Sequence, residues 1–279
     1  MENEETTPPP GVHFHLSKWF LDFTGENGEA MIFYSAKLFL HGFPASYTSW
    51  LRYDPVSGVH LRSRFSKVHL PKLNGQLISW NDPEFGVSGT WEALAGSVQA
   101  RIFDSEEGFL DWNCHQPASK VQLRINDRVL EGRGYAEHLI LTVPPWKLDM
   151  DELRWGRFCS AENNMVWIGL SGKEQRQWLW LNGEKTESCI LEDDCITIPD
   201  KNLIVNLDRG VTLEAEKKIF NVVGKLIRYI PGLNKVIPVS FLRTDEHKWL
   251  SRGQLQKDGK ILSEGMAIHE LVNFKPDEQ

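Results

Sequence analysis

Cysteine is scarce: Cys114, Cys159, Cys189 and Cys195 are the only four in 279 residues. That is too few to frame a chain of this length with disulfides. Cys189 and Cys195 flank Ile-Leu-Glu-Asp-Asp, which leaves their pairing open. No CxxC or His-x-x-x-His spacing accompanies them, so ordinary reduced thiols are expected and no zinc site is. No run of about 18 apolar residues is present, so no membrane-spanning helix is expected. Basic charge is in deficit, 31 residues against 38 acidic, which argues against nonspecific affinity for nucleic acid. Residues 1–10 are acidic and then Pro-rich, without the basic start and apolar core of a signal peptide. They read as a disordered tail on a cytoplasmic protein. There is no Gly-x-Ser-x-Gly elbow and no His-Glu-x-x-His. Leu170-Ser171-Gly172-Lys173 lacks the upstream glycine of a phosphate loop. No nucleotide, flavin or metal cofactor is therefore expected.

Aromatic residues, in contrast, are abundant: 11 Trp and 14 Phe. So much aromatic surface suits a large core, an apolar ligand cavity, or both. Most of the chain reads as strands, among them Met31 to Leu40, Val59 to Phe65, Ser97 to Phe103 and Lys120 to Ile125. Asn74-Gly75, Asn182-Gly183 and Asp258-Gly259 are hairpin turns. Many short strands with such punctuation predict an all-β sandwich or barrel. One segment differs. Ile219, Val222, Val223, Leu226, Ile227 and Ile230 recur at helical spacing and stop at Pro231-Gly232. With Lys217, Lys218, Lys225 and Arg228 beside it, this amphipathic helix is expected to cap a barrel or to touch a membrane surface weakly through 217–230.

The chain also repeats. Glu131-Gly-Arg-Gly-Tyr-Ala-Glu137 returns as Glu264-Gly-Met-Ala-Ile-His-Glu270, 133 positions on. Each copy runs into apolar residues near the end of its half. Pro144-Pro145-Trp146 marks the joint, since paired prolines end a strand. The expected organisation is two similar all-β units, 11–144 and 145–279.

Trp19-Phe20-Leu21-Asp22, Trp112-Asn-Cys-His-Gln-Pro117, Gly132 to His138 and Trp155-Gly-Arg-Phe158 together resemble the hydroxyneurosporene synthase-like family, which includes carotenoid hydratases. The resemblance spans about residues 13 to 274 and implies two lipocalin-like antiparallel barrels in tandem. It departs from the family in Trp-Phe-Leu where Trp-Trp-Tyr is usual, and in Glu-His where Asp-His is common. A barrel of eight strands can hold one small ligand, and a tandem pair adds a cleft between units. The resemblance implies an apolar isoprenoid- or polyketide-like ligand and cofactor-free hydration, cyclisation or isomerisation, a lyase-type chemistry. The alternatives are a non-catalytic carrier and an interaction protein whose cavity is filled by its own side chains.

In the central motif, Gly132, Gly134, Ala136 and His138 share one face of a strand, and Arg133, Tyr135 and Glu137 the other, unless a bulge intervenes. The glycines either leave ligand space beside His138 or serve a barrel bend. Glu137 recurs as Glu270, so a paired structural carboxylate is one reading, with Arg133, Arg154 and Arg157 as partners. His138 has no counterpart, only His269 one position out of step, and is the expected acid/base group. Glu137, Asp111 and Asp22 are further proton-donor candidates. Tyr135, Trp112, Trp155, Trp19, Arg133 and Arg157 are the expected ligand contacts.

Overall fold

In the computed structural model, residues 13–215, 237–238, 241 and 243–274 are described. The chain divides into two units between Leu148 and Asp149. In the first, the strands are β1 Phe14–Gly25, β2 Ala30–Leu40, β3 Phe43–Asp54, β4 Gly58–Arg64, β5 Lys72–Asn74, β6 Leu77–Asp82, β7 Val87–Ala93, β8 Val98–Ser105, β9 Gly108–Ile125 and β10 Arg128–Leu141. In the second they are β11 Met150–Ser160, β12 Asn164–Gly172, β13 Arg176–Leu181, β14 Glu184–Lys185, β15 Ile190–Leu191, β16 Cys195–Ile198, β17 Leu203–Leu207, β18 Val211–Ala215, β19 Asp245–Lys257 and β20 Lys260–Asn273.

Both units are single antiparallel sheets curled into barrel-like form. The first runs β4-β3-β2-β1-β10-β9-β7-β6-β5 with β8 on β9. The second runs β14-β13-β12-β11-β20-β19-β17-β16-β15 with β18 on β19. Adding ten to each label of the first order gives the second, so the repeat in the sequence is a repeat of topology. Asn182 and Gly183 (φ 54° and 82°) and Asp258 and Gly259 (φ 50° and 76°) are left-handed as two-residue hairpin turns require. Helical pieces among the described residues are few: 3-10 turns at Pro145–Lys147 and Pro199–Lys201 and a helical position at Phe241. The expected helix of Ile219 to Ile230 and the tail 1–10 lie outside the described residues.

The strands are longer than the punctuation suggested. β9 runs for 18 residues straight through Pro117. The ladder to β10 slips twice, between Gly134 and Ala136 and between Ala136 and Glu137. Each slip places an extra residue on β9, so Pro117 sits at a bulge, where a strand tolerates the missing N–H. β1 and β10 pair without interruption.

The first core holds Leu21, Phe23, Phe33, Trp50, Trp80, Trp91 and Leu123, among others. Arg64 of β4 clasps the fully buried Asp82 of β6 through two bonds of 2.9 and 2.5 Å. This charged pair spans the gap between the outer strands, where no ladder joins β4 to β5 or β6 among the described residues. Gly132 and Gly134 serve the bend and leave no free space. A Cβ at Gly134 would lie 2.2 Å from the Asp22 carbonyl oxygen and 2.6 Å from Val121, and at Gly132 2.3 Å from the Thr24 carbonyl oxygen. Phe23 and Trp91 fill the room that the two glycines seemed to offer a ligand.

Candidate functional site

Because β1, β2, β3 and β10 are in continuous register, the interior of the first unit can be read in layers. One layer is Leu21, Phe33, Trp50 and Ala136; the next is Trp19, Ser35, Thr48 and His138; the next is Ser17, Lys37, Ser46 and Ile140. The interior thus changes from apolar to largely polar within about 7 Å, two residues along each strand. His138 sits at that change. It is buried, its Nε2 lies 2.8 Å from Ser17 Oγ, and its ring stacks on Trp19 with centroids 4.6 Å apart and planes within 8°. His115 stacks on the same Trp19 at 5.0 Å. It reaches that ring because of the β9 bulges. Cys114 pairs with Glu137 on one face, while Gln116 already pairs with the inward-facing Ala136.

Burial pushes the His138 imidazole down to about 4, and the neighbouring His115 and His15 push the same way. Burial also lowers His15. His138 is therefore neutral at pH 7, able to accept a proton and poor at donating one. Two buried acceptors of these layers stand without a hydrogen-bond partner among the described residues: Thr48 Oγ1, in the layer of His138, and Gln116 Oε1, opposite Ala136 in the layer before it. The Gln116 amide nitrogen is committed to the carbonyls of Gln76 and Trp91. Buried polar atoms without partners are few in folded proteins and call for a bound group or water.

The other predicted site residues divide into three groups. Trp112, Tyr135 and Glu137 do meet, on the opposite face of β10 from His138. Trp112 Nε1 and Tyr135 Oη both donate to Glu137 Oε2, at 2.5 and 2.6 Å. Cys114 and Asp22 are fully buried beside them. Burial raises the Tyr135 hydroxyl and the Cys114 thiol well above their ordinary values. Tyr135 and Trp112 are thus Glu137's hydrogen-bond donors and do not share a face with His138. Asp111 stands apart, held by Arg101 in two bonds of 2.5 and 2.9 Å at the half-exposed β8–β9 edge. Arg133 is half-buried, and its carbonyl accepts from Thr24 Oγ1. Trp155 and Arg157 belong to the second unit. Both are buried, and Arg157 donates to the Met266 carbonyl.

Glu270, the repeat of Glu137, pairs with Lys248 at 2.7 Å, and Lys248 also meets Glu214 and Glu246. A fully buried lysine is thus a partner of Glu270. His269 bonds Ser251 Oγ at 2.9 Å and lies against Trp249. Burial, with Arg209 nearby, lowers it to about 4, against a smaller opposing pull from Asp208. Cys189 and Cys195 are free thiols, and burial pushes the first up to about 11. A pocket of about 230 Å³ opens at the β9–β10 turn, lined by Arg52, Ile125, Asn126, Asp127, Arg128 and Leu130.

The sequence reading missed His15, Ser17, Ser35, Thr48, His115 and Gln116. The alternation His15-x-Ser17-x-Trp19 would have pointed to the first two. Pro117 inside a strand would have flagged the bulge that turns His115 and Gln116 inward.

No family model matches the chain, and no curated protein does. Solved structures do. CghA, crystallised with Sch210972, aligns with a TM-score of 0.62 at 11% identity over 98% of this chain and 95% of its own. An AttH candidate from Nitrosomonas europaea aligns at 0.59 and 6% identity, covering 99% and 97%. Kievitone hydratase from Nectria haematococca aligns at 0.51 and 10% identity, covering 97% and 92%. The chain shares their two-unit β fold. At these identities the likeness is one of fold. No helix among the described residues is long and apolar enough to cross a membrane.

Proposed function

We propose that the first unit binds an apolar small molecule carrying one polar group, and that His138 acts on it as a base. The observation that carries this reading is a pair of buried acceptors without partners among the described residues, Thr48 Oγ1 in the layer of a neutral His138 and Gln116 Oε1 in the layer next to it. A hydroxyl of the ligand, or a water carried in with it, would satisfy them. Trp19, stacked against His138, supplies aromatic surface to this layer. Trp112, Tyr135 and Glu137 hold β10 from behind. Asp111, engaged by Arg101, and Trp155, Arg133 and Arg157, which lie elsewhere, take no part in this site.

A neutral imidazole favours proton removal over the initial protonation of an isolated alkene. In a hydration, His138 takes a proton from water as oxygen bonds to a double bond conjugated to a carbonyl, then returns it to the adjacent carbon. In an isomerisation, the proton leaves one carbon of the ligand and returns at another. Neither step needs a cofactor. The likeness to kievitone hydratase, and to CghA solved with Sch210972, supports this class of reading, as does the resemblance to the hydroxyneurosporene synthase-like family.

The test begins with organic extraction of the protein purified from its native host. The recovered molecule is then returned to fresh parent protein and to His138→Gln. The expected result is turnover by the parent that falls tenfold per pH unit below about pH 4. His138→Gln should still bind and be slower by about a hundredfold or more. Equal turnover by the two proteins would remove His138 from the chemistry. Binding without turnover by the parent would establish a carrier.

A further inference from the structure

The second unit carries a different constellation at the end of its sheet. Arg154 of β11 and Arg209 of the β17–β18 loop converge on one carboxylate, Asp193. Arg154 Nη1 donates to it, and Arg209 Nη2 lies 2.7 Å from its Oδ2. Asp193 itself sits on the exposed turn between β15 and β16, with a side chain 39% exposed. The arginines are the better anchored partners. Arg154 is held by Glu152 at 2.8 Å. Arg209 has a left-handed backbone, φ 46°, which a non-glycine residue adopts only when its surroundings enforce it. Asp208 enforces it: its carboxylate accepts from the Gly210 and Arg252 amides at 3.0 and 2.8 Å, and its own amide donates to the Arg252 carbonyl.

This geometry lays the Arg209 guanidinium over the half-exposed Trp249, 5.2 Å from the ring centre. The neighbouring His247 ring lies nearly parallel to that of Trp249. Arg209 Nε is buried and has no hydrogen-bond partner among the described residues. One donor of a positioned guanidinium is therefore left open beside an aromatic surface, while an acid from a surface turn takes Nη2.

We infer that Arg154 and Arg209 form a binding site for a planar carboxylate, and that Asp193 occupies it as an internal stand-in. A ligand carboxylate replacing Asp193 would take both guanidiniums, with Arg209 Nε as an added donor in the fork geometry that arginine favours. Its ring would extend the surface of Trp249 and His247. The site is separate from the His138 site of the first unit and does not depend on it.

The probe is 2-naphthoate, with 2-naphthamide as its uncharged counterpart, titrated into the full chain by calorimetry and ligand-observed NMR. Removing an intramolecular competitor should strengthen binding. Asp193→Ala and the closer-fitting Asp193→Asn should each bind 2-naphthoate about tenfold more tightly than the parent. Arg209→Gln or Arg154→Gln added to either should lose at least that gain. The amide should bind weakly to all of them. Two Asp193 variants guard against one that folds poorly, with near-ultraviolet circular dichroism as the check. Equal affinity for naphthoate and naphthamide, no gain in either Asp193 variant, or unchanged binding in Arg209→Gln would each overturn the proposal.

Discussion

The two units share one strand order and differ in what they hang on it. Register makes the comparison residue by residue. Trp19 faces His138 across β1 and β10, while Arg154 faces Leu271 across β11 and β20. Asp22 opposite Tyr135 becomes Arg157 opposite Ile268. Cys114 opposite Glu137 becomes Lys248 opposite Glu270. Of these positions only the glutamate is kept. In the first unit it is satisfied by neutral donors, Trp112 and Tyr135; in the second, by an ammonium shared with two other carboxylates. Pleat, hairpins and curl are thus conserved without conserving chemistry. A polar inner belt was open to become an imidazole site in one unit and an arginine pair in the other.

The largest expected difference concerns Lys248. Replacing it with Met removes the buried cation that three carboxylates share. The loss should be about 3–5 kcal/mol of folding free energy in urea unfolding. Cys114→Ser, at the equivalent position, should cost far less. A small effect at Lys248 would mean the glutamates protonate without penalty and would erase the contrast.

Next come the equivalents Trp19 and Arg154. Trp19→Ala empties a packed aromatic position and should cost about 3–5 kcal/mol. Arg154→Ala breaks a partly exposed ion pair, worth about 0–1 kcal/mol. Similar losses at both sites would show that Arg154 is structural core.

A third prediction concerns a likeness. His138 and His269 are each held near 4 against an ordinary 6.5. Below pH 6.5 the unfolded chain takes up a proton that the folded chain refuses. Folding stability should therefore be complete above pH 6.5 and fall as pH drops towards 4, by about 1.4 kcal/mol per pH unit for each imidazole. His138→Gln and His269→Gln should each reduce the slope by that amount. An effect from only one of them would mark the other as solvated.

A further, modest effect belongs to Tyr135→Phe. It removes one of Glu137's two donors and should cost about 1–3 kcal/mol in thermal unfolding, near the lower end because Trp112 remains. Ile268 offers no such bond in the second unit, so Ile268→Val there should cost only about 1 kcal/mol through packing.

Much of this fold is legible in the sequence. The Glu-Gly…Glu repeat and the Asn-Gly and Asp-Gly turns carry the tandem topology, because a period-2 pattern and a left-handed turn are local properties. The candidate site is legible only in part. His138 and Trp19 stand out in their strands, but their contact depends on the β1–β10 register. The faces of Glu137 and His138 follow from alternation alone, since no bulge falls on β10. What fills the space beside Gly132 and Gly134 comes from Phe23 and Trp91, on other strands. The inward turn of His115 and Gln116 depends on bulges that only the β9–β10 pairing reveals. The Lys248 cluster is illegible for a related reason: its glutamates come from β18, β19 and β20, and one lysine between His247 and Trp249 gives no sign of them.

The central claim is that the polar belt around His138 receives a small molecule. Native mass spectrometry of the full chain from its native host tests it directly, with Thr48→Phe purified in parallel. The account predicts a bound mass on the parent that disappears in Thr48→Phe while the folded charge-state envelope is unchanged. A parent without any adduct, or an adduct that Thr48→Phe retains in full, would contradict it.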